Sequence, residues 1–442
     1  MRLRLRVLSV LLTVCGALVS VPAAASAELP GIDDFYRAPA GFESAKPGTI
    51  LGERPVRLAS YSELPFNAQA WQLLYRTTDF TGAPTTTVTT VILPAGAPPT
   101  GGRPLLSYQV AHDSSDPACG PSVAMRAGSG PEGVFTQSEM TFVDHALQQG
   151  WAVSVPDHEG PSARIAAPRE PGYAVLDGIR AAQAFAPLGL AGTRTPVGLW
   201  GYSGGGLATG WAAQVQPTYA PELDLRGVAM GSPAPDPAAV TQLGGTAWSG
   251  LAVAVLASLR QVYPDVGRVM DAHLTPGGRA AVDAMSGQCV ARAVASNAFR
   301  PTSDFLTVSY AQLVADPAVA AALADAGLGG SAPTAPVYVY SGVHDEIIPI
   351  STVDTMVDRY CRGGTPVTYR RDETSLHATL IVTGASDALN WLRARFDGAP
   401  VPSGCDTRTV TSTVMEPGAA NTYVSTNSGV LGTMLGVPIG PR

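Results

Sequence analysis

Charge is scarce in this sequence. Asp, Glu, Lys and Arg make up 14% of its 442 residues, where an average soluble protein carries about 25%. The charge that is present leans acidic, with 28 Lys and Arg against 35 Asp and Glu, and no stretch gathers Lys or Arg into a cluster. That excludes the electrostatic footprint of a nucleic-acid-binding protein. Cysteine is sparse too: there are five, none in a C-x-x-C pair, which removes the usual zinc and dithiol signatures. The sequence has no H-E-x-x-H, no phosphate-binding loop and no dinucleotide fingerprint. The nearest thing to a ligand set, His112, Asp113, His158 and Glu159, follows no such spacing, so neither a metal nor another cofactor is expected. Past the N-terminus no apolar run is long enough to span a bilayer. The low charge has two readings, an apolar surface or binding site, or a bias towards alanine and glycine. Composition does not choose between them.

What is there begins at the N-terminus. Arg2, Arg4 and Arg6 precede an apolar run from Val7 to Val21 and the small-residue site Ala25-Ser26-Ala27. This is the pattern of a secretory signal peptide over residues 1–27. An uncleaved anchor, or a lipoprotein signal using Cys15, is the weaker reading, because Val14 is a poor residue to precede a lipoprotein cysteine. Removing residues 1–27 leaves 25 Lys and Arg against 35 Asp and Glu, a net charge of −10. Four cysteines remain: Cys119, Cys289, Cys361 and Cys405. An even number in an oxidising compartment predicts two disulfides, with three connectivities open.

Along the chain, residues 28–62 are rich in Pro and Gly without periodicity and read as an arm on the surface. TTTVTTVIL (85–93), PLLSYQV (104–110), WAVSVPD (151–157), TPVGLWGYS (195–203) and LRGVAMGSP (225–233) read as strands. Several are short continuous apolar runs, as in a strand buried on both faces. Residues 172–187 and 205–216 have helical spacing. The alternation predicts an α/β fold with a largely parallel sheet. It stops near residue 235, and a mostly helical block, 236–330, intervenes before strands resume at VYVYSG and PVTYRRDE (366–373). The organisation expected is therefore a core of 28–235 and 331–400, a helical lid or cap of 236–330, and a Pro/Gly/Ser/Thr-rich tail or flap of 401–442.

The chemistry centres on LWGYSGGGLATGW (199–211). With 48 glycines in the chain, a G-x-S-x-G match arises by chance in about one chain in three of this composition. Here, however, it follows a predicted strand and opens a predicted helix, the setting of a nucleophile elbow. Ser203 is then the nucleophile, and the helix amides behind it favour negative charge. A serine hydroxyl needs a base, and the base an orienting carboxylate. In this fold the order is Ser, Asp or Glu, then His. Three histidines follow. His273 lies in the helical block, His344 at a strand end as a bystander, and His377 in the loop after PVTYRRDE, where an imidazole can reach the serine. Asp345, just past the strand VYVYSG, is favoured as the acid over its neighbour Glu346. Asp358 and Asp372 read as solvated charges. The amide of Gly204 is one oxyanion donor. Asp113, in the loop after PLLSYQV, is the best-placed second, though a capping aspartate reads as well.

GYSGGG (201–206), YQVAHDSS (108–115), SVPDHEGP (154–161), GVHDEIIP (342–349) and LHAT (376–379) together resemble the secretory lipase family of lipase-A type, in order and spacing, from about residue 30 to about 400. The resemblance implies a secreted α/β-hydrolase acting on acylglycerols and other carboxylic esters without a cofactor. It also implies a triad of Ser203, Asp345 and His377, oxyanion donors at Gly204 and Asp113, and disulfides Cys119–Cys289 and Cys361–Cys405. Its lid falls on 236–330; the tail is thinly matched. The expected partner is a lipid or ester substrate, at a lipid–water interface for a lipase. An esterase for short-chain or bulky esters, and a non-catalytic lipid-binding protein on the same scaffold, are the alternatives.

Overall fold

The computed structural model describes residues 33–441 apart from 62 and 402. The expected signal peptide, and Cys15 within it, lie outside the described residues. Twelve strands occur among them: β1 (Ile50–Val56), β2 (Ala59–Ser60), β3 (Leu64–Pro65), β4 (Gln69–Thr78), β5 (Pro84–Leu93), β6 (Leu105–Gln109), β7 (Ala152–Pro156), β8 (Val197–Tyr202), β9 (Leu225–Gly231), β10 (Val337–Gly342), β11 (Val367–Asp372) and β12 (Cys405–Val410). Ten form one sheet in the order β1-β4-β5-β7-β6-β8-β9-β10-β11-β12, and β2 and β3 pair separately. The run β7 to β12 is parallel throughout, while β1, β4 and β5 join it antiparallel. This is an α/β-hydrolase sheet. Every residue of β6, β7, β8 and β10 is buried, which explains why those segments read as unbroken apolar runs.

Helices cover both faces. One face packs against helices Glu170–Ala184 and Gly204–Tyr219, the other against Val134–Gln148 and Ala385–Phe396. The block between β9 and β10 is helical, from Pro237–Val240 to Pro317–Ala326. It shares a core with the sheet: Val253, Leu256 and Leu259 of helix Ser249–Val262 lie in one apolar cluster with Val228 and Val339. Disulfide Cys119–Cys289 ties the segment after β6 to this block, and Cys361–Cys405 ties the end of helix Ile350–Arg362 to the start of β12.

Two segments differ from the sequence reading. Residues 28–62 are not only a surface arm, because Ile50–Val56 pairs with β4 as the edge strand of the sheet. The tail, read without an element of its own, contains a strand and a helix. Its segment Cys405–Val410 adds the opposite edge strand, and helix Ala419–Met434 packs on Val134–Gln148 and Ala385–Phe396. Both strands are edges with several exposed positions, so neither carries the apolar pattern that announces a buried strand.

Candidate active site

Ser203 sits between β8 and helix Gly204–Tyr219 with φ 54° and ψ −122°. A positive φ is costly for a side-chain-bearing residue and persists only where the surroundings enforce it. Here they do. The Ser203 amide donates to the Gly231 carbonyl (2.9 Å), and the Leu207 amide to the Ser203 carbonyl (2.9 Å). The flanking glycines are required by close backbone approach. A Cβ on Gly201 would lie 2.3 Å from the Gly205 carbonyl oxygen, and one on Gly205 only 1.9 Å from that of Gln109.

His377 opens the short helix His377–Thr383, directly after the loop that leaves β11. Its Nδ1 donates to Asp345 Oδ2 (2.8 Å), and its Nε2 accepts from Ser203 Oγ (2.9 Å). The tautomer is the one that the carboxylate selects. The ring is held from two sides: its amide donates to Glu346 Oε2 (2.9 Å), and its carbonyl accepts from Tyr202 Oη (2.7 Å). Glu346 thus carries the backbone of His377, while Asp345 faces the ring. The other oxygen of Asp345 accepts the amides of Ile347 (2.9 Å) and Ile348 (2.8 Å). Burial alone would raise the Asp345 pKa. The His377 hydrogen bond, the His377 charge and those two amides outweigh it and hold the carboxyl below its ordinary value. His344 is exposed, and His273 lies in the helical block.

Asp113 has φ 37°, and its carboxylate leans over Gly204, where a Cβ would come within 1.9 Å of Oδ1. Burial pushes the Asp113 carboxyl up to about 6 against the opposing pull of His377. The loop carrying it is moored by Glu139, which accepts from the Ala111 amide (3.0 Å) and the Tyr108 hydroxyl (2.7 Å). Asp113, Ser203 and Gly204 open onto a cleft of about 530 Å³. Its remaining wall is apolar: Ile165 and Ala166 after β7, Leu207 behind the serine, Ile347 and Ile348 beside Asp345, and Pro237, Val240, Leu251, Ala254 and Val255 from the helical block. Among the described residues, none after 400 lines it.

Asp372 departs from its reading as a solvated charge. It is buried and accepts six hydrogen bonds. Oδ1 takes the amides of Thr374 (3.0 Å) and Ser375 (2.9 Å) and the Thr374 hydroxyl (3.3 Å). Oδ2 takes the Thr413 amide (2.6 Å) and the Thr413 and Ser412 hydroxyls (2.9 and 3.2 Å). One carboxylate therefore joins the loop entering His377 to the C-terminal segment. Only the T-S pair two residues on, which can build an Asx turn, marks it in the sequence. His112, His158 and Glu159, which follow no metal spacing, are brought together and buried; Asp113 turns away to the cleft.

The sequence profile of the family described as Secretory lipase matches residues 125–404. Lipase A of Arthroderma benhamiae is 37% identical over 434 residues, 96% of this chain and 92% of that protein. A protein of Mycobacterium tuberculosis named as a probable inactive lipase is 44% identical over 390 residues, 88% of this chain and 87% of that one. Among solved structures, the X-ray structure of Candida antarctica lipase A superposes with a TM-score of 0.80 at 26% identity, covering 92% of this chain and 97% of that one.

Proposed function

The chain belongs to the secretory lipase family, and from that premise we propose that it is an active, secreted serine hydrolase that cleaves acylglycerol ester bonds. The observation that carries the proposal is the unbroken chain Ser203 Oγ to His377 Nε2 (2.9 Å) and His377 Nδ1 to Asp345 Oδ2 (2.8 Å), opening on an apolar cleft. A protein that only bound lipid would have no need of a strained serine aligned with a carboxylate-oriented imidazole.

In the proposed reaction Ser203 Oγ attacks the ester carbonyl carbon while His377 Nε2 takes its proton. The carbonyl electrons move to oxygen, and the amides of Gly204 and Asp113 hold the oxyanion. His377 then delivers the proton to the leaving alkoxide, and the C–O bond breaks to give the alcohol and an acyl-enzyme. A water, deprotonated by the same imidazole, attacks the acyl carbon and releases the carboxylic acid, returning the proton to Ser203. Asp345 stays ionised throughout and stabilises the imidazolium. The acyl chain lies in the cleft against Leu207, Leu251, Ala254 and Val255, whose apolar surface favours a hydrocarbon. The two disulfides suit the oxidising exterior of the cell.

The test is labelling by a fluorophosphonate, followed by rates on emulsified long-chain triglyceride and on soluble p-nitrophenyl esters of graded chain length. Wild type is expected to label and turn over. Ser203→Ala is expected to do neither while being secreted and melting normally. An inert emulsion with fast soluble short-chain turnover assigns an esterase instead, and a wild type that does not label assigns a non-catalytic protein.

A further inference from the structure

We propose that His112, His158 and Glu159 bind a structural zinc ion, which fastens the loop after β6 to the turn after β7. The three side chains come from two loops at the same end of the sheet, and each is no more than 3% exposed. Their candidate ligand atoms all lie within 4.8 Å of one another. His112 Nδ1 and Glu159 Oε2 are 3.2 Å apart, close to the ligand–ligand separation of about 3.3 Å that tetrahedral zinc with bonds of about 2.0 Å requires. Proximity alone would read as a hydrogen bond, but the geometry is wrong for one. Neither atom has a hydrogen-bond partner among the described residues, and neither do His112 Nε2 and His158 Nδ1. Buried polar atoms in native proteins are almost always satisfied, and three buried side chains that lie together, each carrying an unsatisfied nitrogen or carboxylate oxygen, are what a cation would complete.

The surroundings fit an ion held for structure. The Ser114 amide bonds the Glu159 carboxylate, and the Pro156 carbonyl is a hydrogen-bond partner of His158. These are outer contacts of the kind that orient metal ligands. A second cleft, lined by His112, Asp157 and Gly160, touches the cluster at His112, the side from which an ion would enter. Two imidazoles and one carboxylate are a zinc donor set, with a water to complete the tetrahedron, whereas calcium and magnesium take all-oxygen sets. His112 directly precedes Asp113, so the ion would act on the reaction only by fixing the loop from which Asp113 reaches the cleft.

The experiment uses the secreted, full-length protein, stripped with EDTA and then titrated with ZnCl₂ alone. One zinc per chain is expected to survive gel filtration, and the melting temperature to rise with zinc concentration. Cobalt(II) in place of zinc is expected to give the intense visible absorption of a four-coordinate site. His112→Gln and Glu159→Gln should each weaken zinc binding at least 10-fold and abolish the melting response. His158→Ala serves as the third variant, and the melting temperature of each zinc-free variant against zinc-free wild type separates lost binding from lost folding. Wild type that retains no zinc overturns the proposal. Zinc retained equally by folded His112→Gln and Glu159→Gln overturns it by locating the metal elsewhere.

Discussion

Gly204 and Gly205 are neighbours at the start of one helix, yet a methyl group does different damage at each. On Gly205 it meets the backbone carbonyl of Gln109 at 1.9 Å, and a strand backbone in mid-sheet cannot give way. On Gly204 it meets the carboxylate tip of Asp113, which swings aside. Gly205→Ala is therefore expected to cost about 3 kcal/mol or more of stability. Gly204→Ala should cost about 1 kcal/mol, yet lower kcat by about 100-fold or more by disturbing the proposed oxyanion side of the cleft. Thermal melts and rates on a soluble ester, compared side by side, check the inversion; equal effects on both quantities would refute it. Asp345→Asn tests the acid. An amide keeps the shape but offers its N–H to His377 Nδ1 as readily as its carbonyl, so the imidazole loses its fixed tautomer. The expected fall in kcat is about 10⁴-fold with KM nearly unchanged. Ser203, Asp345 and His377 could be singled out in the sequence because the proposed chemistry dictates their types and their order along the chain. Asp372 could not be, since apart from the Thr-Ser pair after it nothing separates it from a surface aspartate until the partners at 412 and 413 fold back onto it.

At the scale of elements, Asp372 ends β11 and binds the segment after β12 to the loop before His377. Replacing it with Asn keeps the donors at 374, 375, 412 and 413 but removes the charge they converge on. Burial raises this carboxyl, and the bonds from Thr413 and Ser375 outweigh that and hold it below the ordinary range. A carboxylate with a depressed folded pKa stabilises the fold above its unfolded value near about 4, and the contribution is lost as pH falls through the folded value. Asp372→Asn is thus expected to destabilise by about 1–3 kcal/mol at neutral pH. The gap to wild type should close in acid, as followed by urea melts from pH 7 downward. A gap that widened as pH fell would contradict the assignment. The same region shows which elements could be read in advance. Buried parallel strands such as VGLWGY and VYVYSG announce themselves because both faces are apolar. Strand ILGERPV, strand CDTRTV and helix Ala419–Met434 do not: they lie at edges or on the outside, where Thr, Ser, Gly and Arg serve as well as apolar residues and the period is lost.

At the scale of the whole molecule, the two disulfides close loops of very different size. Cys119 and Cys289 are 170 residues apart, Cys361 and Cys405 only 44. In the chain-entropy account they restrict the unfolded chain by about 5 and about 4 kcal/mol, so removing the first should cost about 1 kcal/mol more. The effect on activity should be smaller than that on stability. The seam that Cys119–Cys289 fastens has a second stitch, the Val290 amide donating to Ser114 Oγ (3.1 Å). Helix Ser249–Val262, which roofs the cleft, is held by its own packing against the sheet core. The double substitution Cys119→Ser with Cys289→Ser is therefore expected to lower the melting temperature more than Cys361→Ser with Cys405→Ser. It should also leave kcat at 25 °C within about 10-fold of wild type. Were activity lost while the fold persisted, the covalent link itself, rather than the apolar contact between block and sheet, would be what holds the roof over Ser203.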